Sequence, residues 1–410
     1  MRITDVKTVL LTGPISNDPW MRRVRTCRSA AFVEIHTDDG LVGVGETYLG
    51  YFFPEAVPVI VEAFKPILVG VDVLDVPLLW ARMYRCENFW CRTGMGAIAL
   101  AAIEGALWDL KGKIEERPVW ELLGGKRHER LLGYATGGGS DYPFEALLRR
   151  IDLFRDAGFR AAKFSSGWYE AGTGRSFAGG SAQAWIDLEN RKLEMIQRHV
   201  GRDFVLCLDG HMGNKSEDEE IWTLETAKSV LKSLEGYNIF FFEEALPYRD
   251  PHAYAELSSS TTIPVAGGEC LTTFEEFKQY ADLNSFDIGQ PDASFIGIGA
   301  FLKVASLFAQ KNRRVATHSW GAGGSVMENV HAAFACPNVA ILEIPPLVAD
   351  LHTEVYGDSF SMVDGYVLPP QRPGLGITLS EVTKAKYPFV PGSGEFNSVP
   401  GKVLEIPHKS

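Results

Sequence analysis

From Leu131 onward the sequence alternates short apolar β-type runs with amphipathic helical stretches. Two of the helical stretches are WIDLENRKLEMIQRHV and LETAKSVLKSLEGY. The candidate strands are LLGYAT, RAAKFS, FVLCLD, IFFFEE, IPVAGGE, FDIGQPD, RRVATHS and VAILEI. About eight strand–helix units within about 215 residues favour a parallel (β/α)8 barrel of the TIM type. A doubly wound open sheet is the alternative, but no Gly-rich phosphate-binding motif follows the first strand.

The segments on either side of this alternation predict additional structure. ITDVKTVLL and SAAFVEIHT alternate like antiparallel strands, and DDG between the second strand and LVGVGET is a hairpin signal. Helical patterns follow, ending with the long Ala-rich stretch MGAIALAAIEGALWDLKGKI. We therefore predict an α+β N-terminal capping domain over 1–130 and a barrel domain over 131–364. The Pro- and Gly-rich segment 365–410 is predicted to pack back on the capping domain and complete it.

Composition narrows the class of protein. The chain has 410 residues, 46% of them hydrophobic, and a formal net charge of −12. An acidic protein is a poor match for nucleic acid or an anionic membrane, so neither is expected as a partner. The six cysteines are scattered without CxxC spacing, which is typical of reduced thiols. The N-terminus lacks a signal-peptide pattern and no apolar run approaches the ~20 residues of a membrane span. A cytoplasmic protein is the expectation.

Three predicted strands end on a carboxylate: VLCLD at Asp209, IFFFE at Glu243 and PVAGGE at Glu269. In a parallel barrel these ends meet at one mouth, and a hard divalent cation would stabilise the clustered acids. Each acid alone has an ordinary reading as a turn or loop residue. Glu244 is an alternative to Glu243, since strand alternation lets one of the two neighbours face the barrel axis and does not say which.

Other strand ends carry further polar residues. His318 ends RRVATHS and Asp292 ends the preceding strand, so the carboxylate could orient the imidazole across ~5 Å. His211 follows Asp209 by two residues, which places both side chains on one face of an extended strand. The remaining polar side chains at predicted strand ends are Lys163, Ser165 and Glu343.

This series resembles the enolase superfamily, specifically its mandelate racemase/muconate lactonizing enzyme branch. The resemblance covers nearly the whole chain. It rests on ALWDLKGKIEERPVWELLGG, on the Asp-Glu-Glu series, on QPDASFIGIG and on the strand-end His318. It implies a modified (β/α)8 barrel with a capping domain. It also implies that Asp209, Glu243 and Glu269 bind one Mg²⁺ and that His318 with Asp292 forms a general acid/base dyad.

The sequence departs from this branch on the second barrel strand. Mandelate racemase and several acid-sugar dehydratases carry Lys-x-Lys there, whereas this chain has Lys163-Phe164-Ser165. Racemisation needs acid/base groups on both faces of the α-carbon, so the missing lysine favours dehydration. By resemblance, His211 is a candidate acid/base and Lys163 a fixed cation beside the substrate carboxylate. Glu343 matches a glutamate that hydrogen-bonds a substrate carboxylate oxygen.

Two loops are candidates for reading the distal end of a substrate. Arg25 lies where the family places a mobile loop over the barrel mouth, and Tyr48 lies in the neighbouring loop. Solvated surface residues are the alternative for both. The Gly- and Ser-rich stretch 172–183 is read as a flexible excursion that could serve as a lid.

The resemblance and the departure together predict a Mg²⁺-dependent dehydratase (a hydro-lyase) acting on a sugar acid, an aldonate or aldarate. Removal of the proton α to the carboxylate would give an enediolate and then a 2-keto-3-deoxy acid. A racemase, epimerase or sugar-lactone cycloisomerase is the alternative within the same chemistry. An inactive barrel that binds a metal or sugar is the alternative from another class. Family resemblance also predicts a homo-oligomer.

Overall fold

The structure is a computed structural model, and it describes residues 1–15, 27–73, 75–86, 89–137, 146–167, 180–213, 220–346 and 350–394. Arg25 and most of the 172–183 stretch lie outside the described residues, so the predictions for them stay predictions. No helix in the described part of the chain is long and apolar enough to cross a membrane.

The N-terminal part pairs a three-stranded antiparallel sheet with a group of helices. The strands are β1 (Ile3–Pro14), β2 (Cys27–Thr37) and β3 (Val42–Thr47), in the order β1-β2-β3. The helices are α1 (Leu49–Phe52), α2 (Ala56–Leu68), α3 (Val76–Cys86), α4 (Met95–Ile114) and α5 (Val119–Leu122). The helix α4 is buried along most of its length, as its apolar circumference predicted.

Strands and helices then alternate as predicted. The parallel strands are β4 (Leu131–Thr136), β5 (Ala161–Ser165), β6 (Val205–Asp209), β7 (Ile239–Glu243), β8 (Val265–Gly267), β9 (Ile288–Gly289), β10 (Arg314–Val315) and β11 (Leu342–Ile344). The helices between them are α6 (Leu147–Asp156), α7 (Ala182–Val200), α8 (Leu224–Leu234), α9 (Pro251–Ser260), α10 (Phe274–Asp282), α11 (Ala293–Ile296), α12 (Ile298–Gln310) and α13 (Gly323–Ala335).

The parallel strands close into a barrel. Each strand from β4 to β10 pairs with the next, and β11 pairs with β4. The ring is completed by a parallel bridge between Val315 of β10 and Val339, which leads into β11. Tyr134, Cys207 and Phe241 are among the fully buried side chains that form a separate apolar cluster with residues of the five other parallel-strand segments. The predicted barrel is therefore confirmed, and the doubly wound sheet is excluded.

The last part of the described chain returns to the N-terminal sheet. It contains α14 (Asp350–Tyr356), a 3-10 helix (Gly357–Ser359), the hairpin strands β12 (Met362–Val363) and β13 (Tyr366–Val367), and α15 (Glu381–Lys386). β13 pairs antiparallel with β4. Farther on, Thr12 N donates to Tyr387 O at 3.2 Å and Leu11 forms a bridge with Pro388. These contacts agree with a returning tail; the boundaries at 130 and 364 stay predictions.

Glycines in β3 set the distance between the N-terminal sheet and α4. A Cβ on Gly45 would lie 2.2 Å from Ala102 O and 2.4 Å from Ala106 N, both backbone atoms. We expect Gly45→Ala to lower the free energy of unfolding by about 1–3 kcal/mol or more, because the helix must move off the sheet. Gly236→Ala is the matched control, since nothing lies within 4 Å of its added Cβ. Equal denaturant midpoints for the two variants would contradict this packing.

Candidate active site

The carboxyl ends of β5, β6 and β7 are in register, which brings their polar residues side by side. Ser165 pairs with Asp209, and Asp209 pairs with Glu243. Glu269 follows the last residue of β8, Gly267, by two positions. Because parallel strands end at the same rim, Asp209, Glu243 and Glu269 meet at one barrel mouth. The convergence expected from sequence is therefore present.

Lys163 lies at the centre of this acidic group. Its Nζ is 2.6 Å from Glu243 Oε2, 3.0 Å from Asp209 Oδ2 and 3.3 Å from Glu343 Oε1. The lysine is nearly buried, at 4% exposure, so these contacts are poorly screened by water. Burial alone would lower the pKa of Lys163, but the three carboxylates raise it well above its ordinary value. Lys163 is thus a fixed cation at the rim.

One lysine does not offset the negative charge of the site. Burial raises the pKa of Glu243 to about 7 despite the attraction of Lys163. Burial, with a contribution from Glu244, also raises the pKa of Glu269 well above its ordinary value. For Asp209 burial acts in the same direction, but His211 and Lys163 bring its pKa below the ordinary value. This excess of carboxylates is the electrostatic setting in which a divalent cation binds.

The donor atoms at the rim fit a hard cation. One ligand atom each from Asp209, His211 and Glu269 lies within 4.8 Å of the others. Glu243 is paired with Lys163 through Oε2, and its buried Oε1 has no hydrogen-bond partner among the described residues. Carboxylate oxygens are the ligand type of Mg²⁺, and two of the three clustered donors, those of Asp209 and Glu269, are carboxylates. The residues present therefore fit the ion that the resemblance implies.

Glu244 follows the end of β7, and the direction of its side chain is not set by strand alternation. Alternation sends the neighbour of Glu243 away from the barrel axis, yet the Glu244 side chain is also buried, at 1% exposure. Its backbone has φ of 41°, so it has left the extended conformation at the end of β7. Its Oε1 accepts a hydrogen bond from Cys270 Sγ at 3.7 Å, and burial raises its pKa to about 8. Both glutamates are therefore buried, and the expectation that only one of them faces the barrel axis stays a prediction.

His318 and Asp292 form the expected pair. His318 Nδ1 is 2.8 Å from Asp292 Oδ2, and the other ring nitrogen, Nε2, is 3.6 Å from Glu269 Oε2. Burial alone would lower the pKa of His318, but Glu269 and Glu343 and the Asp292 hydrogen bond raise it to about 10. Asp292 lies beyond β9 as the N-cap of α11, where the sequence predicted a strand end. The strand was placed too long, but the pairing was predicted correctly.

Sequence reasoning missed the residues that hold Asp292. Its Oδ1 accepts hydrogen bonds from Ser294 N at 2.8 Å, Ser294 Oγ at 2.7 Å and Asn329 Nδ2 at 2.8 Å. Asn329 lies on α13, 37 positions away in the chain. No pattern in the sequence marks it, because an asparagine inside an apolar helix has no signature until the helix is placed.

His211 reaches Asp209 through a turn. Its φ is 48°, outside the extended region on which the alternation argument relied. The imidazole nevertheless contacts the site: Nε2 is 3.2 Å from Asp209 Oδ2 and Nδ1 is 3.4 Å from Ser165 Oγ. His211 and Ser165 therefore lie together beside the carboxylates, as the sequence predicted, although for a different local reason.

Glu343 lies on β11, which β4 separates from β5, the strand of Lys163. Hydrogen bonds on two sides hold it in place. Its Oε2 accepts a hydrogen bond from Ser319 N at 2.8 Å, and its own N–H donates to Thr317 Oγ1 at 2.8 Å. Its other oxygen faces Lys163. The segment that carries His318 is thereby tied to β11.

Tyr48 packs beside the dyad. Its ring centroid is 5.3 Å from that of His318, and it stacks on Tyr51 at 5.5 Å. The guanidinium carbon of Arg28 lies 4.5 Å from the centroid of the Tyr51 ring and 4.9 Å from that of the Trp320 ring. The predicted substrate-binding residue Tyr48 is thus brought to the mouth, and Arg28 and Trp320 are neighbours that sequence reasoning did not single out.

A barrel with acids, a lysine and a His-Asp pair at its mouth, covered by an α+β unit, defines a class of enolising barrel. Family models agree with that class. Residues 146–383 match "Enolase C-terminal domain-like", and residues 6–124 match "Mandelate racemase / muconate lactonizing enzyme, N-terminal domain". The chain belongs to the mandelate racemase/muconate lactonizing enzyme family of the enolase superfamily.

Relatives with assigned names cover almost the whole chain. A D-galactarolactone cycloisomerase from Agrobacterium fabrum is 30% identical over 93% of this chain and 97% of its own length. An arabinonate dehydratase from Saccharolobus solfataricus is 28% identical over 86% of this chain and 89% of its own length. A solved racemase from Streptomyces coelicolor A3(2) with bound magnesium is 26% identical, covers 94% of this chain and 99% of that one, and has a TM-score of 0.79.

Proposed function

We propose that this chain is a Mg²⁺-dependent dehydratase of a sugar acid, an aldonate or aldarate, that produces a 2-keto-3-deoxy acid. The observation that carries the proposal is the His318–Asp292 pair 3.6 Å from Glu269, on a rim where a lysine is replaced by Ser165. The names of relatives support it: arabinonate, D-galactonate and L-talarate/galactarate dehydratases are among them.

Asp209, Glu243 and Glu269 would hold the magnesium ion. The ion supplies Lewis-acid stabilisation of the negative charge that develops on the substrate carboxylate. Lys163 and Glu343 face each other at the mouth, and Lys163 can donate a hydrogen bond to a substrate carboxylate oxygen. Glu343, to which the family resemblance gives the same contact, would donate one in its protonated form. The magnesium bound in the solved racemase relative supports this choice of ion.

His318 removes the proton at C2 in this scheme, for which its imidazole must be neutral. Glu269 makes the largest contribution to the raised pKa of His318, and that contribution would be lost with Glu269 bound to the ion. Asp292 holds Nδ1, which leaves Nε2 directed toward the mouth for the proton transfer. The C3–O bond then breaks, and the departing hydroxyl leaves as water after it accepts a proton. Either His318 or His211 can deliver that proton, since both imidazoles border the carboxylate cluster. A proton added at C3 completes the keto acid.

A panel of aldonates and aldarates, incubated with the purified protein and Mg²⁺, tests this function. We expect at least one of them to give a semicarbazide-reactive keto acid, with no product when EDTA replaces Mg²⁺. The absence of keto acid from every member of a stereochemically complete panel of five- and six-carbon acids would overturn the proposal.

A cycloisomerase or epimerase is the second candidate, favoured by the 30% identity to the galactarolactone cycloisomerase. The same His318 can exchange the C2 proton without loss of water. Recovery of isomerised substrate, or of an opened lactone, without keto acid would select this candidate. Turnover of neither kind would favour a binding protein.

Magnesium binding should release protons near pH 7. Burial raises the pKa of Glu243 to about 7 and that of Glu269 well above its ordinary value, so a fraction of these carboxyl groups is protonated near neutrality. The ion binds the ionised forms, and its apparent affinity should therefore rise with pH. Calorimetric titration in two buffers of different ionisation enthalpy measures the released protons. Zero release, or an affinity that falls from pH 6.5 to 8, would contradict the assignment of these ligands.

A homo-oligomer in the cytoplasm completes the proposal. The cytoplasmic location rests on the scattered cysteines without CxxC spacing. The homo-oligomer rests on the family resemblance.

A further inference from the structure

The carboxylate of Asp292 is fixed by a set of hydrogen bonds that no part of the proposed reaction uses. Oδ2 faces His318 Nδ1, whereas Oδ1 accepts three hydrogen bonds, from Asn329 Nδ2, Ser294 N and Ser294 Oγ. Asp292 is 1% exposed, so water does not supply alternative partners. Each oxygen therefore has its own assigned neighbours, and a rotation of the carboxylate would break several bonds at once.

The Asn329 side chain ties this arrangement to two different elements. Its Oδ1 accepts from Ala293 N at 2.8 Å, at the start of α11, and its Nδ2 also donates to Ser325 O at 3.0 Å on its own helix. The side chain is 2% exposed. It thereby uses its amide donors and its acceptor, and the amide orientation follows from the network.

The network continues into the N-terminal sheet. Ser294 Oγ is 2.7 Å from Ser325 Oγ, and Ser325 N donates to Glu46 Oε2 at 2.8 Å. Glu46 lies on β3, and its other oxygen accepts from Ala322 N, just before α13. A carboxylate at a helix N-terminus is a stabilising arrangement. The helix that carries Asn329 is thus held at its start by the N-terminal unit.

We propose that Asn329, with Ser294, is a positioning residue for the reaction: it holds Asp292 so that the second oxygen orients the His318 imidazole. The inference rests on the proposed function, since it assigns His318 the proton transfer. Among the described residues, the side chains of Asn329 and Ser294 form no hydrogen bond with Asp209, Glu243 or Glu269. Their loss should therefore lower the rate of the chemical step and leave substrate and ion binding almost unchanged. Loss of a comparable hydrogen bond behind a functional histidine costs 10- to 100-fold in other proteins.

The test compares Asn329→Leu and Ser294→Ala with Asn338→Leu on any sugar acid that the wild type converts. Asn338 is the control, because its half-buried amide donates to Ala305 O and Arg313 O away from the dyad. We expect kcat to fall about 10- to 100-fold for Asn329→Leu and less for Ser294→Ala, with KM and the Mg²⁺ dissociation constant within about threefold of wild type. Asn338→Leu should lower the melting temperature and leave kcat unchanged.

The outcomes separate the two proposals. Suppose that the wild type turns over a sugar acid and that Ser294→Ala and folded Asn329→Leu have the same kcat. This result would overturn the positioning role and leave the proposed function standing. If Asn329→Leu does not fold, Ser294→Ala decides alone. An equal fall in kcat for Asn338→Leu also overturns it, because the effect would then be general destabilisation. A wild type that converts no member of the panel overturns the proposed function and this inference with it.

Discussion

Replacing His318 with asparagine should lower kcat by about 100- to 10,000-fold, the range that a positioned general base contributes. Asparagine keeps a polar group near Asp292 but cannot accept the C2 proton. The carboxylates that hold the ion are not altered, so the Mg²⁺ dissociation constant should change far less than kcat. Steady-state kinetics with a converted sugar acid, together with calorimetric titration of Mg²⁺, measure the two quantities separately.

A second histidine provides the control for this substitution. His128 Nε2 bonds the backbone oxygen of Cys336 at 2.8 Å, away from the barrel mouth, and His128→Asn should retain kcat. His211→Asn belongs in the same series, because this imidazole also borders Asp209. Full activity in His318→Asn together with a large loss in His211→Asn would show that the roles of the two histidines are reversed.

Glu243→Gln should weaken Mg²⁺ binding by at least about 100-fold, whereas Glu244→Gln should weaken it less than about tenfold. A buried oxygen of Glu243 has no hydrogen-bond partner among the described residues and is available to an ion. Glu244 likewise has one bonded oxygen, held by Cys270, and one buried oxygen without a partner among the described residues. The two residues differ in position, because Glu243 ends β7 in register with Asp209 whereas Glu244 has left the strand. Both substitutions replace a buried carboxyl group with an amide at neighbouring positions, so they are matched in size and burial.

The measurement is calorimetric titration of Mg²⁺ into each variant, with the melting temperature recorded to verify folding. Activity at saturating Mg²⁺ provides a second readout, since a lost ligand also misplaces the ion. Tight binding in Glu243→Gln with loss of binding in Glu244→Gln would exchange the two assignments. Equal losses would mean that the general charge of the rim, and not one ligand, controls affinity.

The barrel and its rim could be read from the sequence because they follow from periodic patterns. Apolar runs ending on Asp209 and Glu243 fix both the strand and its direction, and parallel pairing then brings the ends together. The His318–Asp292 pair follows from the same rule applied to neighbouring strands. These predictions needed strand order alone, which follows from the strand–helix alternation along the chain.

Conformations at the strand ends could not be read in this way. Glu244 and His211 both have positive φ, and strand alternation says nothing about a residue that has left the strand. Asn329 was missed for another reason: its contact with Asp292 depends on how α13 packs, which no local pattern encodes. The role of Arg25 lies in a segment outside the described residues and stays a prediction.

Conversion of the sugar acid in D₂O tests the central claim most directly. Dehydration through loss of the C2 proton gives an enol, which takes up a deuteron from the solvent at C3. The 2-keto-3-deoxy acid therefore carries one deuterium at C3. Substrate labelled with deuterium at C2 should also react more slowly than unlabelled substrate if proton removal limits the rate. NMR of the product is predicted to show the C3 deuterium. Recovered substrate with deuterium at C2 and no keto acid would contradict the account.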